Sequence, residues 1–305
     1  MAISILDSSA PAFKKFEGVV PLPRSLFVDG SVESLSLPAV AVVGSRRASA
    51  YGYGVAFELS RDLARRGWVI VSGLARGIDS AAHEGALAGG GRTIAVLAHG
   101  LNHLYPRENR ALSRKIVDSG GALVTEYEAH EPALSYRFPQ RNRLIAGLSR
   151  ATVVVQAALK SGSLITAQLA LDQNRDVWVV PGVEKDEAFL GGQKLIEDGA
   201  EMVRSAEDVL KALGESYGEF PVENIRASWL AALMESGRCY GIEELFLSSD
   251  RTLSELMESL EQHLRDGSVI EAFSQQFMWV GEKERRGAAK KYDLRTCQPV
   301  NPCQK

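Results

Sequence analysis

Cysteine is scarce. Cys239, Cys297 and Cys303 are the only three in 305 residues, and none forms a C-x-x-C pair. A disulfide scaffold and a zinc ribbon are therefore excluded, and reduced thiols in a cytoplasmic protein are expected. Long apolar runs are also missing. No stretch of about 18 apolar residues exists, so no membrane-spanning helix is expected. The first residues, MAISILDSSAPAFKK, lack a basic start followed by an apolar core, so no signal peptide is expected. Neither sign of charge dominates: 35 Lys and Arg face 38 Asp and Glu, a formal net charge of −3. That excludes a bulk polycation that coats nucleic acid by total charge. There is no G-x-x-x-x-G-K-[ST] segment, which removes support for P-loop ATP hydrolysis, and no G-x-G-x-x-G dinucleotide fingerprint. No internal repeat is present.

What remains is ordinary globular material, 45% hydrophobic and 24% charged. Its length suits two domains at about 150 residues each, enough for a core without staples. Residues 1–35 carry Pro11, Pro21 and Pro23 with one short apolar stretch at 26–28, and are expected to form an irregular N-terminal arm. From residue 36 to 213 apolar β-branched runs at 39–43, 69–71, 93–97, 122–125, 152–155 and 177–180 alternate with helical patterns. These patterns lie near 52–66, 78–89, 107–119, 141–148, 164–174 and 189–197. Strands that are apolar throughout suit a parallel sheet covered on both faces, built from right-handed βαβ units. Residues 214–221 (GESYGEFP) form a linker by composition. In 222–281, helical patterns at 223–236, 241–247 and 252–266 precede strand patterns at 268–272 and 277–280, which suggests a winged helix. In the third helix Leu256, Leu260 and Leu264 recur every four residues and are expected to face the core. Residues 282–305 have little apolar periodicity and are expected to be disordered.

Chemistry concentrates at the predicted carboxyl ends of the strands, the edge of an open parallel sheet where ligands bind. The first strand ends in Gly44, Ser45 and Arg46. A glycine there admits close backbone approach, the hydroxyl donates, and the guanidinium makes paired hydrogen bonds to phosphate. A tight βα turn with a surface arginine explains the same residues without a ligand. The second strand leads into a loop between Gly73 and Gly77 that holds Arg76, with Asp79 as a helix cap. His83, one turn on, either faces a ligand or bonds Asp79 structurally. The segment SYRFPQRNRLIAGLSR (135–150) contains Arg137, Arg141, Arg143 and Arg150, no acid, and the interleaved Tyr136 and Phe138. Guanidiniums for phosphates beside aromatic faces for bases are the elements of single-strand binding. Solvated arginines at a helix start are the plainer explanation. The fifth run leads to Lys160, Ser161, Gly162, Ser163 and Thr166, where helix N–H groups favour an anion and where a serine also caps the helix. No metal-ligand spacing accompanies any of these.

In order along the chain, VAVVGSRRASAYG, VSGLARGIDSAAHEGAL, TIAVLAHGLNHLYPRENRAL, FPQRNRLIAGLS, SGSLITA and VVPG resemble the DNA-processing protein A family (DprA/Smf). The resemblance covers roughly residues 20–213. It implies an extended Rossmann-like domain that binds single-stranded DNA, protects it during natural transformation and loads the recombinase RecA. It further implies a homodimer without cofactor or catalytic role. Gly44, Ser45, Arg46, Phe138, Arg141, Asn142, Arg143, Ser161, Gly162 and Ser163 would share one DNA pocket, with Arg76 and Lys160 as further DNA contacts. Two positions depart from the family pattern: Gln156 stands where Glu is usual, and Gln193 where Asn is usual. The sterile-alpha-motif domain that precedes the Rossmann-like domain in many such proteins is not matched. The alternative is a nucleotide-binding or nucleotide-processing enzyme of a related Rossmann-like fold; its PGGxGT-type loop and downstream catalytic Glu are lacking, because the corresponding place reads SGSLITA.

Charge divides the C-terminal part of the chain. Residues 222–280 hold ten acidic residues, four arginines and no lysine, a formal −6; residues 282–305 hold seven basic and three acidic residues, a formal +4. Phosphate contacts supply most groove affinity, so a partner-binding or dimer-stabilising role is expected of the acidic domain rather than duplex binding.

Overall fold

In a computed structural model the chain divides into two compact units, Met1–Gly218 and Glu219–Lys305. The structure describes residues 3–182 and 186–214, and short segments of the second unit. In the first unit the strands are β1 (Ser4–Asp7), β2 (Ser25–Gly30), β3 (Ala39–Val43), β4 (Val69–Ser72), β5 (Thr93–Val96), β6 (Ala122–Thr125), β7 (Ala151–Val154), β8 (Asp176–Val179) and β9 (Glu201–Met202). The helices are α1 (Ala50–Arg65), α2 (Ile78–Ala88), α3 (Arg110–Asp118), α4 (Arg137–Leu148), α5 (Gly162–Asp172), α6 (Leu190–Glu197) and α7 (Ala206–Ala212).

One nine-stranded sheet runs in the order β1-β2-β6-β5-β4-β3-β7-β8-β9. Every pairing from β6 through β9 is parallel, and only β1–β2 and β2–β6 are antiparallel. This is the α/β, Rossmann-like sheet expected from the sequence. Central strands β3 to β7 are buried along their whole length, which is why they read as continuous apolar runs. One face packs Leu144, Ile145 and Leu148 of α4 and Ala167 and Ala170 of α5; the other packs α1 and α2 through Leu59, Leu63, Ile78 and Ala82. The sheet order reverses between β3 and β7, whose neighbours lie on opposite sides. A crevice opens at such a switch point, outside the carboxyl ends of the two strands.

Residues 1–35, expected to be an irregular arm, instead extend the sheet. β2 pairs with β6 and β1 with β2, while a 3₁₀ turn at Pro11–Phe16 drives Phe13 and Phe16 into the core beneath α4. Helix α4 starts at Arg137 rather than at 141, because Pro139 sits in the first turn, where its missing N–H costs nothing. Helix α1 starts at Ala50 because the Ser49 hydroxyl accepts from Gly52 N at 3.1 Å.

In the second unit, β10 (Cys239–Gly241), β12 (Gln276–Trp279) and β11 (Val269–Ala272) form an antiparallel sheet in that order. Its last two strands are the hairpin expected for a wing. Leu245 and Leu260 are buried, and the rest of the three expected helices lies outside the described residues. Within 282–305, β13 (Tyr292–Asp293) pairs with β14 (Gln298–Pro299).

Candidate nucleic-acid interface

The loops after β3, β4 and β7 converge on the switch point. Ser45 N donates to Gln156 O at 2.7 Å, and Ile78 N donates to Ser45 O at 3.1 Å. Gln156 Oε1 accepts from Ser49 N at 2.9 Å and from the Ser49 hydroxyl at 3.2 Å. Gln156, only 1% exposed, thus ties the end of β7 to the start of α1 across the crevice. Two glycines make this packing possible. A Cβ on Gly44 would stand 2.6 Å from Ile78 Cγ1. Gly77 has φ +74° and a Cβ there would stand 2.3 Å from Ser45 O.

Upon this frame the expected residues separate into two groups. Arg46 is exposed, has no carboxylate partner among the described residues, and lies over the Phe138 ring at 5.0 Å. Phe138 in turn meets the edge of Tyr105 at 5.6 Å. One turn on, Asn142 Nδ2 donates to Gly162 O at 3.4 Å, which joins α4 to the start of α5. There the Ser161 and Ser163 hydroxyls stand 2.7 Å apart, and Lys160 is exposed. Gly44, Ser45, Arg46, Phe138, Asn142 and the Lys160–Ser163 loop are therefore placed around one edge of the sheet.

Arg141 and Arg143 are neither free phosphate ligands nor solvated arginines at a helix start, but buried residues of α4. Arg141 is 3% exposed and donates to Gly73 O at 2.9 Å and to Val96 O. Burial pushes its guanidinium down to about 10, against the attraction of Asp79, and the neighbouring Arg46 charge pushes the same way. It stays cationic at neutral pH and adds positive potential beneath the crevice. Arg143 is 6% exposed. It makes a two-pronged pair with Glu126, both bonds 2.6 Å, and donates to Pro21 O at 2.9 Å. Arg137 pairs with Glu131 and lies 4.4 Å over the Tyr127 ring. The arginine cluster that has no acid in its own segment is therefore opposed from elsewhere in the chain. Arg76 points away from the group, to Glu108.

Asp79 does not cap α2, whose N-cap is Gly77. It accepts from Gly73 N at 3.1 Å and Ala75 N at 3.3 Å and shapes the loop. Burial raises its carboxyl, a shift opposed by Arg141 and by those two N–H groups. His83 bonds Thr93 Oγ1 at 2.7 Å rather than Asp79, and burial, with Arg141 nearby, pushes it down to about 3. It is a neutral core histidine. Sequence marked Gln156 only as a departure from the family pattern and Tyr105 only within a longer motif, and neither spacing indicated the strut or the ring contact that the fold makes of them. Among the described residues no group of three His, Cys, Asp or Glu side chains is arranged to hold a metal ion, and no helix is long and apolar enough to cross a membrane.

Comparison with known proteins places the chain in a family and a fold. A family model described as DNA recombination-mediator protein A matches residues 3–214. Protein Smf of Escherichia coli K12 is 46% identical over 191 residues, which is 63% of this chain and 51% of that protein. DNA processing protein DprA of Streptococcus pneumoniae is 42% identical over 209 residues, 68% of this chain and 73% of that protein. The chain thus spans about half the length of the Escherichia coli relative. Among solved structures, DprA of Streptococcus pneumoniae superposes with a TM-score of 0.65 at 39% identity, covering 69% of this chain and 74% of that one. DprA of Helicobacter pylori, reported with a single-stranded DNA binding mode, has a TM-score of 0.64 at 31% identity, covering 72% of this chain and 98% of that one. The chain belongs to the DNA recombination-mediator protein A family.

Proposed function

We propose that this protein binds single-stranded DNA in the crevice between the ends of β3 and β7. There it acts as a non-enzymatic recombination mediator in natural transformation. One observation carries this reading: Arg46, cationic, exposed and without a carboxylate partner among the described residues, lies 5.0 Å over the Phe138 ring at the carboxyl edge of the sheet. A phosphate on the guanidinium and a base against the ring use both groups at once. The Ser45 hydroxyl, Lys160 and the start of α5 supply further donors around the same anion. Arg141, held beneath, favours negative charge in the crevice without contacting it, and Arg143 fixes the helix that carries Phe138 and Asn142. Such a site reads backbone and base faces rather than sequence, so binding is salt-dependent and sequence-tolerant.

Protection of the strand, loading of RecA, action as a homodimer and a cytoplasmic location belong to the same reading. The family's description as a recombination mediator supports the recombination part of that reading. The reading assigns no catalytic residue and no cofactor. A parallel titration with single-stranded DNA, duplex DNA and a nucleoside monophosphate tests it. Tightest binding to the single strand is the expected result. Preference for the mononucleotide, with release of its base, would favour a nucleotide-processing enzyme instead.

A further inference from the structure

The geometry points to a second nucleic-acid contact beyond the switch-point crevice: an arginine-rimmed cleft along α3 that takes the continuing strand. The cleft, about 620 Å³, is lined by Asp29, Leu101, Leu104, Arg107, Arg110 and Arg114 among others. The three arginines are exposed, and none is paired with a carboxylate among the described residues. Arg110 and Arg114 are one helical turn apart on one face of α3. That is a rise of about 6 Å, close to the spacing of successive phosphates in an extended single strand. Asp29 brings a single opposing charge; its Oδ1 is buried without a partner. A carboxylate there repels phosphate and accepts from a base amino group, so phosphates would follow the arginine rim with bases turned inward toward Leu101 and Leu104.

The cleft and the proposed crevice are linked through one short segment of chain. Phe138 meets Tyr105, and Tyr105 is two residues before Arg107, the first residue of the rim. The turn at Arg107–Asn109 is fastened to the loop after β4, because Asn109 Nδ2 donates to Leu74 O at 2.9 Å, Ala75 O at 3.2 Å and Ser80 Oγ at 3.0 Å. Cleft and crevice are thus held in fixed relation by direct hydrogen bonds. The occupant is the strand already bound at Arg46, so this inference rests on the proposed function and extends its footprint.

The test compares single strands of about 6 and about 20 nucleotides, titrated at several salt concentrations against the wild type, Arg46→Ala, the double variant Arg110→Ala/Arg114→Ala and its charge-preserving counterpart Arg110→Lys/Arg114→Lys. The alanine double variant is expected to lower the salt slope on the long strand by about 1.4, at about 0.7 per phosphate contact. It should also weaken long-strand binding several-fold and change the short strand less than half as much. The lysine double variant should restore most of the loss. Long-strand affinity and slope equal to wild type in the alanine double variant, while Arg46→Ala weakens both lengths, overturn the α3 cleft and leave the crevice standing. Failure of the wild type to bind either strand overturns both.

Discussion

Arg143 offers the sharpest separation between holding the fold and holding DNA. Its side chain is 7% exposed and its partner Glu126 18% exposed, and the pair is closed by two bonds of 2.6 Å. Further bonds reach Pro21 O at 2.9 Å and Gln140 O at 3.0 Å. Arg143→Ala strands a largely desolvated carboxylate and two carbonyls. Breaking a buried pair from one side costs about 3–5 kcal/mol, out of a total of about 5–15 kcal/mol for a domain. At about 2–4 °C per kcal/mol for a unit of this size, the melting temperature is expected to fall by about 6–20 °C. Removing both charges with Arg143→Met/Glu126→Gln should recover most of that loss, since no lone charge is then left behind. Thermal and urea unfolding followed by circular dichroism measure both. A single variant within about 1 kcal/mol of wild type, yet unable to bind single-stranded DNA, would refute the structural role and return Arg143 to the phosphate site.

Further expectations follow from the crevice and the core. Gly77→Ala combines a positive φ with a 2.3 Å approach to Ser45 O, so it should displace the Ser45–Arg46 turn. DNA affinity should fall more than a surface glycine change such as Gly54→Ala, whose Cβ would meet nothing within 4 Å, and equal affinities would contradict the packing. His83 is neutral in the fold, pushed from 6.5 down to about 3. Its folded value is depressed, so unfolding takes up a proton and stability falls as pH drops from 6.5 toward 3. Between pH 7 and 5 this group contributes a loss of about 2 kcal/mol. His83→Gln should lose that much less over the same interval in urea titrations. An identical pH profile in both proteins would show that the ring is hydrated.

Much of the fold is legible in the sequence because the parallel strands, buried on both faces, are written as runs such as AVAVV and TIAV. The N-terminal strands were not legible. Leu26 and Val28 alternate over too short a stretch to mark a strand, Phe13 and Phe16 lie in a 3₁₀ turn, and their partners on β6 and α4 lie about a hundred residues away. The same non-locality hid the state of the arginines. Within 135–150 no acid is present, but Glu126 lies outside that window, and Asp79 lies beneath Arg141 after crossing from another strand. Sequence shows where cations cluster; only the fold shows that Arg141 and Arg143 are enclosed while Arg46 is exposed.

The account rests most directly on Arg46. Fluorescence anisotropy of single-stranded DNA against wild type and Arg46→Ala, across a salt series, isolates it. The side chain is exposed and, among the described residues, lies against the Phe138 face without a carboxylate partner, so its removal should leave the melting temperature within about 2 °C. Affinity should drop, and the salt slope should shrink by about 0.7. A variant that binds single-stranded DNA with wild-type affinity and slope would contradict the crevice as the DNA site.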